Sequence, residues 1–331
     1  MTNHTPEQDK PLISAVLLTG RQTERAALAL RSILRQDGLE RAEVILIDAS
    51  PPGTPPLPGS DHPAVRMFRR PERAAFGEMR AEAAQLARGQ IVAYLEEHCI
   101  ALPGWLNALA AAFEKGYAAV GGEVHSANPG VGISDAIQIM NYFRWLPPAQ
   151  AGEADIIVGH NAAYRRDVLL AYGDDLGWMI QAEPVLQWDL IAKGHRLYVE
   201  PAVKFGHRNE ITLSSIARGY FMWNQAFGFV RARVNRWSAG MKTLRVLATP
   251  IVPFVRTART FSQIVSRHPD RLLSFIGLLP VMLLAQTSAA LGMAKGYLFG
   301  AEDIATRFAD YELDIDRGPL GATPAWMVSD L

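Results

Sequence analysis

The sequence has only one cysteine, Cys99, so it cannot form an internal disulfide. So little cysteine is typical of proteins that fold in a reducing compartment. The first ten residues, MTNHTPEQDK, also lack the basic and then apolar pattern of a secretory signal peptide. We therefore expect the folded part of the chain to stay in the cytoplasm, and residues 1–10 to be disordered.

Net charge is absent as well, because 33 Lys and Arg balance 33 Asp and Glu, but the two signs are unevenly distributed. Residues 1–203 carry 18 basic and 24 acidic side chains, a net charge of −6, whereas residues 204–271 carry 12 and 2, a net charge of +10. A basic block predicts an anionic partner, either membrane lipid or a phosphate-bearing substrate. We expect no nucleic-acid partner, because long apolar runs interrupt the block where nucleic-acid-binding proteins alternate basic and aromatic residues.

The sequence contains no internal repeat. Instead, short apolar runs alternate with helical patterns over the first 200 residues, which predicts βαβ units. Four runs are continuously apolar, as in strands that are covered on both faces: residues 12–18, 43–48, 64–68 and 91–95. Residues 23–36 and 76–89 have the three- and four-residue apolar spacing of helices. The predicted fold class is α/β, with a mostly parallel, doubly wound, Rossmann-like sheet whose ligands bind beyond the carboxyl ends of the strands.

Further elements follow from local composition. Residues 50–63 are rich in proline and glycine and are predicted to form a loop. A helix over 103–115, a strand over 117–124 and a helix over 133–146 come next. Residues 154–173 are predicted as a strand, a polar turn and a helix.

After residue 210 the chain becomes basic and apolar. Residues 272–294 form a run of 23 residues without a charge, which as a helix spans about 34 Å and matches the ~30 Å hydrocarbon core of a membrane. Polar residues dilute this run, so it is either a membrane-spanning segment or a buried core helix. We divide the chain into a domain over 11–210, a helical membrane-associating region over 211–300 and an acidic C-terminal tail over 301–331. If the run spans a membrane, the basic flank before it stays in the cytoplasm and the tail crosses.

Six stretches, in this order and spacing, resemble the family 2 glycosyltransferases, which have the nucleotide-sugar-binding GT-A fold. They are ISAVLLTGR, EVILIDAS, GEMRAEAAQLARGQIVAYLEEH, PGWLNAL, GHNAAYRRDVL and AEPVLQWDLIAKGHRLYVEPAVKFGH. The resemblance covers residues 11–210. It implies an inverting, hexosyltransferase-type enzyme that uses a nucleotide-sugar donor and a lipid-linked or envelope glycan acceptor. It also implies a role in polysaccharide biosynthesis at the cytoplasmic face of the membrane, with the chain bound peripherally or by a single span.

The family's Asp-x-Asp motif, which binds a divalent metal on the donor's diphosphate, is replaced here. The matching positions hold Glu96, Glu97 and His98, which the resemblance assigns to donor binding. A carboxylate and a neutral imidazole are both good metal ligands, and imidazole suits Mn²⁺ better than Mg²⁺. We predict a site for Mn²⁺ or Mg²⁺ at Glu96 and His98, completed by His207, which matches a family histidine near the metal or the diphosphate. The alternative is that arginines alone bind the diphosphate.

Two further residues match family contacts to the donor. Asp48 matches an aspartate that contacts the nucleoside, and Arg80 matches an arginine on the phosphate or uracil side. The position after Asp48 is usually acidic but is Ala49 here, so part of the base or ribose recognition is missing or altered. Apart from the resemblance, Asp48 is equally explained as a turn residue before the proline-rich loop, and Arg80 as a solvated helix arginine.

Glu183 matches the family's catalytic base, which is normally an aspartate. Pro184 favours the first position of a helix, which makes Glu183 the N-cap. The helix dipole favours an ionised carboxylate there, able to accept the proton of an attacking hydroxyl in a single, inverting displacement. The alternative is an ordinary helix start with a charged cap. We expect Trp188, Leu190 and Ile191 to face the core.

The acceptor side is predicted from the turn that contains His160 and Asn161, which follow a predicted strand. Processive polysaccharide synthases carry a Gln-x-x-Arg-Trp signature after the base. This chain has RVNRW at 233–237, with Arg233 in the place of the glutamine. That difference favours the transfer of one sugar at a time.

Two other functions are open at this stage. The altered acidic motif and Ala49 are compatible with a catalytically inactive glycosyltransferase-like subunit of a glycan-assembly complex. A nucleotidyltransferase needs a glycine-rich, basic phosphate loop after the first strand, and LLTGRQTE offers one glycine and one arginine there.

Overall fold

The structure is a computed structural model that describes residues 10–70, 72, 74–301, 304–329 and 331. The predicted disordered N-terminus lies outside these residues, except for Lys10. Nine strands form one sheet: β1 (Ile13–Thr19), β2 (Ala42–Asp48), β3 (Val65–Arg69), β4 (Ile91–Glu96), β5 (Cys99–Ala101), β6 (Ala119–Ser126), β7 (Gly152–Ala154), β8 (Ala163–Arg165) and β9 (Leu197–His207). Their order is β3-β2-β1-β4-β8-β6-β9-β5, and β7 pairs with β9.

Thirteen α-helices are present in the described residues. Seven belong to the sheet domain: α1 (Thr23–Leu34), α2 (Phe76–Leu86), α3 (Trp105–Glu114), α4 (Gly132–Tyr142), α5 (Arg166–Leu170), α6 (Leu176–Gln181) and α7 (Glu183–Ala192). Six follow it: α8 (Leu213–Val234), α9 (Ala239–Leu247), α10 (Val252–Arg267), α11 (Leu272–Phe299), α12 (Ile304–Asp314) and α13 (Ala325–Val328). The predicted loop over 50–63 contains turns and bends but no helix or strand.

The parallel half of the sheet brings three strand ends to one edge. Every residue of β1 is buried, as its continuous apolar run predicts. β1 pairs in parallel with β2 and with β4, so that Thr19 is opposite Asp48 and Leu18 is opposite Glu96. β2 pairs in parallel with β3. The predicted doubly wound α/β sheet is confirmed, although the uninterrupted parallel part is limited to these four strands.

The other half of the sheet is mixed. β8 is antiparallel to both β4 and β6, and β9 is parallel to β6. The short strand β5 runs antiparallel to the end of β9, which places Cys99 opposite His207. Residues 98 and 207, distant in sequence, therefore meet at the edge where β4 ends.

Three local predictions are wrong. In the segment 154–173 the strand follows the polar turn as β8, because Ile157 donates its N–H to the side chain of Gln187 instead of to a neighbouring strand. Helix α7 begins at Glu183, so Pro184 is its second residue. Of the residues expected to face the core, Leu190 is buried, but Trp188 and Ile191 are 41% and 39% exposed because they lie off the buried face of this short helix.

The long apolar helix α11 packs against α8 through glycines. A Cβ atom at Gly292 would lie 2.2 Å from the carbonyl oxygen of Phe221, and one at Gly296 would lie 2.2 Å from that of Gln225. In the part of the chain that the structure describes, one helix is long and apolar enough to cross a membrane. It covers Pro269–Phe299, and 28% of its most apolar stretch of 18 residues is buried. The chain then returns to the sheet domain, because α12 contacts both α2 and α8.

The close approach of α8 and α11 generates a stability prediction. Gly292→Ala places a methyl group against the backbone of α8, and we expect it to destabilise the protein by about 1–3 kcal/mol. The matched control is Gly277→Ala in the same helix, where a Cβ atom has no neighbour within 4 Å. The control should be neutral or stabilising by up to about 1 kcal/mol. Denaturant unfolding of both variants measures the difference, and equal stabilities would contradict the tight contact.

Candidate active site

A cavity of about 280 Å³ lies at the carboxyl end of β4, between the sheet and helices α2, α7, α8 and α12. Its wall contains five residues that the sequence analysis selected from three of the six stretches: Arg80, Glu96, His160, Glu183 and His207. The strand-end motif and the start of α7 therefore face one shared hollow. Convergent polar groups in a concave site of this kind are typical of ligand-binding centres.

Glu96 is the charged centre of the cavity. Its Oε1 accepts a hydrogen bond from Arg80 Nη2 at 3.2 Å. Its Oε2 lies 3.2 Å from His98 Nε2, 3.7 Å from His207 Nε2 and 3.9 Å from His160 Nε2. Burial raises the pKa of Glu96, but the three surrounding imidazoles outweigh burial and hold the pKa well below its ordinary value. Glu96 is therefore an ionised carboxylate at neutral pH.

Four potential ligand atoms come together around this carboxylate. The Nε2 atoms of His98 and His207 face each other 3.1 Å apart. Two ligands of one tetrahedral cation, each at ~2.1 Å, lie about 3.4 Å apart. Together with Glu96 and Cys99, the two histidines offer ligand atoms that all lie within 4.8 Å of one another. The predicted set of Glu96, His98 and His207 therefore fits a divalent cation, and Cys99 is an addition that the sequence analysis did not select.

The protonation states favour the three predicted ligands over Cys99. Burial lowers the pKa of His98 well below its ordinary value, so the imidazole is neutral at neutral pH, as metal binding requires. Burial raises the pKa of the Cys99 thiol well above its ordinary value, which makes it a poor ligand. The Oδ1 of Asn209 accepts a hydrogen bond from His207 Nδ1 at 3.0 Å, because Asn209 uses its amide nitrogen on Gln138. This contact leaves the lone pair of His207 on Nε2, facing Glu96.

Glu183 faces the same cavity from the start of α7. Its Oε1 accepts a hydrogen bond from Arg80 Nη1 at 2.6 Å, so one guanidinium joins Glu183 to Glu96. Burial lowers the pKa of Arg80, but the two carboxylates outweigh burial and raise the pKa above its ordinary value. Gly159 packs directly on Glu183, since a Cβ atom at 159 would lie 2.2 Å from Glu183 Cβ. A larger residue at 159 would therefore displace the Glu183 side chain.

The turn Gly159–Asn161 directs the side chains of His160 and Asn161, the two residues expected on the acceptor side, to different places. His160 lines the cavity, and its Nε2 is 3.0 Å from the hydroxyl of Tyr142. Asn161 is buried behind the wall, where its Oδ1 accepts a hydrogen bond from the backbone N–H of Glu96 at 2.9 Å. The prediction for Asn161 is therefore corrected: the tight turn directs its side chain into the sheet, where it fixes the end of β4.

Two residues predicted to bind the donor lie outside this cavity. Glu97 faces away from Glu96 and is ion-paired with Arg25, and burial raises its pKa to about 7 despite that partner. Asp48 is buried at the end of β2, with Oδ2 3.1 Å from Arg69 Nε. Both lie at carboxyl ends of parallel strands, but each already has a cationic partner. Their contact with a donor stays a prediction.

The sequence analysis missed the contribution of the C-terminal residues. Phe308, Glu312 and Arg317 all line the cavity. Arg317 is buried, is ion-paired with Glu312 and lies 3.3 Å from Glu210 Oε2. The only local signal was an arginine, Arg317, in an acidic segment. Its partner, Glu210, is too distant in sequence to be identified from the pattern. The segment expected to be an acidic tail is thus part of the cavity wall.

Comparisons with known proteins agree with this architecture. Residues 22–173 match the sequence profile of the family described as glycosyl transferase family 2. Among solved structures, the mannosyltransferase PcManGT from Pyrobaculum calidifontis, in complex with GDP-Man and Mn²⁺, is similar with a TM-score of 0.52 and 18% sequence identity, over 88% of each chain. At this identity the likeness concerns the fold, which is GT-A. None of the curated proteins compared with the chain matches it.

The cluster around Glu96 generates a metal-binding prediction. We expect His98→Ala and His207→Ala to weaken Mn²⁺ binding at least about tenfold, because each removes one ligand atom, and Asn209→Ala to weaken it about 10- to 100-fold through the lost orientation of His207. Calorimetric titration with Mn²⁺ measures the affinity. The control is His62→Ala, an exposed histidine outside the cavity, which should bind Mn²⁺ like the unmodified chain. Equal affinity in all variants would exclude the site.

Proposed function

We propose that this chain, which is a family 2 glycosyltransferase with the GT-A fold, transfers a single sugar from a nucleotide-diphosphate donor to a hydroxyl group with inversion at the anomeric carbon. The observation that carries the proposal is the shared cavity of Glu183 and Glu96, bridged by Arg80. In the proposal, Glu183 acts as the base, and Glu96 binds cationic groups beside the leaving diphosphate. The Mn²⁺ and GDP-Man in the structure of PcManGT support a nucleotide-sugar donor and a divalent cation here.

In the proposed reaction, Glu183 accepts the proton of the acceptor hydroxyl as its oxygen bonds to the anomeric carbon. The bond between that carbon and the diphosphate oxygen breaks, and its electron pair leaves with the diphosphate. We infer inversion because a single displacement needs a base but no carboxylate nucleophile. The other carboxylates in the cavity wall, Glu96, Glu210 and Glu312, are engaged by histidines or arginines.

The negative charge on the leaving diphosphate needs cationic partners. Arg80 supplies one, because its buried guanidinium already lies between the two carboxylates. A divalent cation held by Glu96, His98 and His207 would supply the other, by neutralising charge that develops on the diphosphate. A donor that draws Arg80 towards its phosphates also loosens the ion pair of Glu183. That change frees the Glu183 carboxylate to accept a hydrogen bond from the acceptor hydroxyl.

The acceptor is proposed to be a lipid-linked or envelope glycan, reached at the cytoplasmic face of a membrane. Helices α9 and α10 support this, since none of the residues of α9 is buried. Apolar side chains protrude from both helices, from the turn between them and from the start of α11: Leu244, Leu247, Ile251, Phe254, Phe261 and Leu273. Basic side chains accompany them: Lys242, Arg245, Arg259, Arg267 and Arg271. Such a surface suits the interface of an anionic membrane.

The packing of α11 supports peripheral attachment rather than a single span. α11 lies along α8, and α12 then packs on the sheet domain. A single crossing would put residues before and after α11 on opposite sides of the membrane, which separates α12 from α2. We therefore propose that the basic, apolar surface of α9 and α10 lies in the membrane interface and that the chain does not cross.

The role of Glu183 predicts a kinetic effect. Glu183→Gln keeps the shape of the side chain but removes the base, and we expect kcat to fall about 10²-fold or more. Release of nucleoside diphosphate from a panel of nucleotide sugars, with and without Mn²⁺, measures turnover. Glu114→Gln, at an exposed position of α3, is the matched control and should keep full activity.

A fall of less than about tenfold would contradict the role of Glu183. Inertness of the unmodified chain towards every donor and acceptor would instead favour an inactive glycosyltransferase-like subunit. The two outcomes differ because the first requires measurable turnover.

The proposed membrane surface makes a second prediction. The double variant Leu247→Glu and Phe254→Glu removes two of its most exposed apolar side chains, 73% and 67% exposed, and adds repulsion from anionic lipid. We expect at least about a tenfold loss of binding to vesicles of phosphatidylglycerol and phosphatidylcholine in cosedimentation. Met67→Glu, on the edge strand β3, is the control and should bind normally. Unchanged binding of the double variant would contradict this surface.

A further inference from the structure

The C-terminal segment lies across the edge of the sheet at which a nucleotide-sugar donor is expected to bind. We define the C-terminal strap as residues 304–319, which comprise α12 and the five residues after it. Leu313 is fully buried, and a Cβ atom at Gly20, just after β1, would lie 2.6 Å from Leu313 Cβ. Gln22 donates a hydrogen bond to the carbonyl of Asp314 at 3.0 Å. The strap therefore closes the space between the ends of β1 and β4.

Two buried arginines hold the strap by its main-chain carbonyls. Arg25 donates hydrogen bonds to the carbonyls of Glu312, at 3.1 Å, and Ile315. Arg208 donates to the carbonyls of Gly318, at 3.0 Å, and Pro319. Neutral carbonyls are weaker partners for a guanidinium than phosphate oxygens, because charge-assisted hydrogen bonds are roughly twice as strong.

Arg208 is a buried cation whose charge is compensated only partly, by Asp316 of the strap. Among the described residues, no carboxylate lies within ion-pair distance of Arg208, and its Nε has no hydrogen-bond partner. Its side chain is only 2% exposed. A buried, under-compensated cation of this kind is a binding element for an anion.

The remaining cavity is too small for a complete donor. Its volume of about 280 Å³ is at the lower limit of the ~300–1,000 Å³ that sites for drug-sized ligands usually have. The end of β1, at the edge where ligands of doubly wound sheets bind, is covered by Leu313 and its neighbours. The nucleotide part of a donor therefore needs the space that the strap fills.

We propose that the C-terminal strap closes the donor crevice, and that the diphosphate of a nucleoside diphosphate replaces its carbonyls on Arg25 and Arg208. This rests on the proposed function, and it adds two donor-binding residues and a conformational step to it. The strap opens as the donor binds, and Arg317 leaves the cavity wall with it.

Hydrogen exchange of the full chain tests the conformational step directly. With UDP, GDP or inorganic pyrophosphate added in the presence of Mn²⁺, we expect faster exchange in peptides that cover 312–319. Slower or unchanged exchange there, in the presence of measurable binding, would overturn the proposal.

Variants in the strap test whether its closed position competes with the diphosphate. Leu313→Ala weakens the closed strap, and we expect it to tighten pyrophosphate binding at least about tenfold. Tyr311→Phe removes one hydrogen bond from the strap to the carbonyl of Ser215 and should tighten binding about fivefold, without a cavity in the core. The control, Leu109→Ala in α3, truncates an equally buried leucine away from the strap and should leave pyrophosphate affinity unchanged.

A variant at Arg25 tests whether this residue only anchors the strap or also binds phosphate. The double variant Arg25→Ala and Glu97→Gln removes the arginine without leaving a buried, unpaired carboxylate. If Arg25 only anchors the strap, this variant tightens binding as Leu313→Ala does, which would overturn the assignment. We expect the opposite sign, a loss of at least about tenfold, because charge-assisted contacts to the diphosphate are removed.

Failure of this inference and failure of the proposed function are distinguishable. Sugar transfer by the unmodified chain, with no effect of Leu313→Ala and no change in strap exchange, would refute the strap alone. Strap opening by nucleoside diphosphates without any transfer would support the strap and refute the transferase. Absence of nucleoside diphosphate and pyrophosphate binding in both the unmodified chain and Leu313→Ala would refute both.

Discussion

The arrangement of the cavity depends on one buried charge, the guanidinium of Arg80. It lies between the carboxylates of Glu183 and Glu96, and each of the three side chains comes from a different element of the sheet domain. A buried guanidinium is costly without carboxylate partners, and two carboxylates in one hollow repel each other without the cation. The three groups therefore determine one another's positions. Glu183, the proposed base, and Glu96, a proposed metal ligand, are coupled through a single side chain.

The replacement of Asp-x-Asp by Glu-Glu-His changes how a cation can be held at the end of β4. The end of β4 places Glu96 in the cavity wall, with His98 Nε2 3.2 Å from its carboxylate, whereas Glu97 is ion-paired with Arg25. Burial keeps His98 neutral, and Asn209 directs the lone pair of His207 inward. A site with two imidazoles and one carboxylate suits a later divalent metal better than Mg²⁺, which prefers oxygen ligands.

Much of the fold could be predicted because continuous apolar runs and helical spacing are local properties. Parallel pairing brings the carboxyl ends of neighbouring strands to the same edge of the sheet. The position of Asp48 and Glu96 at that edge could therefore be predicted. The exposure of Trp188 was not predictable from spacing alone, because a ten-residue helix buries only one narrow face. Nor could the pattern show the strap, because its partners, Arg25 and Arg208, lie more than a hundred residues away. Hydrogen bonds between side chains and backbone carbonyls that are distant in sequence produce no periodic pattern from which they could be predicted.

The wall of the cavity takes side chains from Phe76 to Arg317, nearly three quarters of the chain. Domains generally fold from the N-terminus as the ribosome releases them, so the sheet and its charged edge exist before the segment that covers them. During translation, Arg25 is open to water until the C-terminal strap has emerged. The interior charges of the finished protein are thus desolvated late, on a scaffold that is already in place.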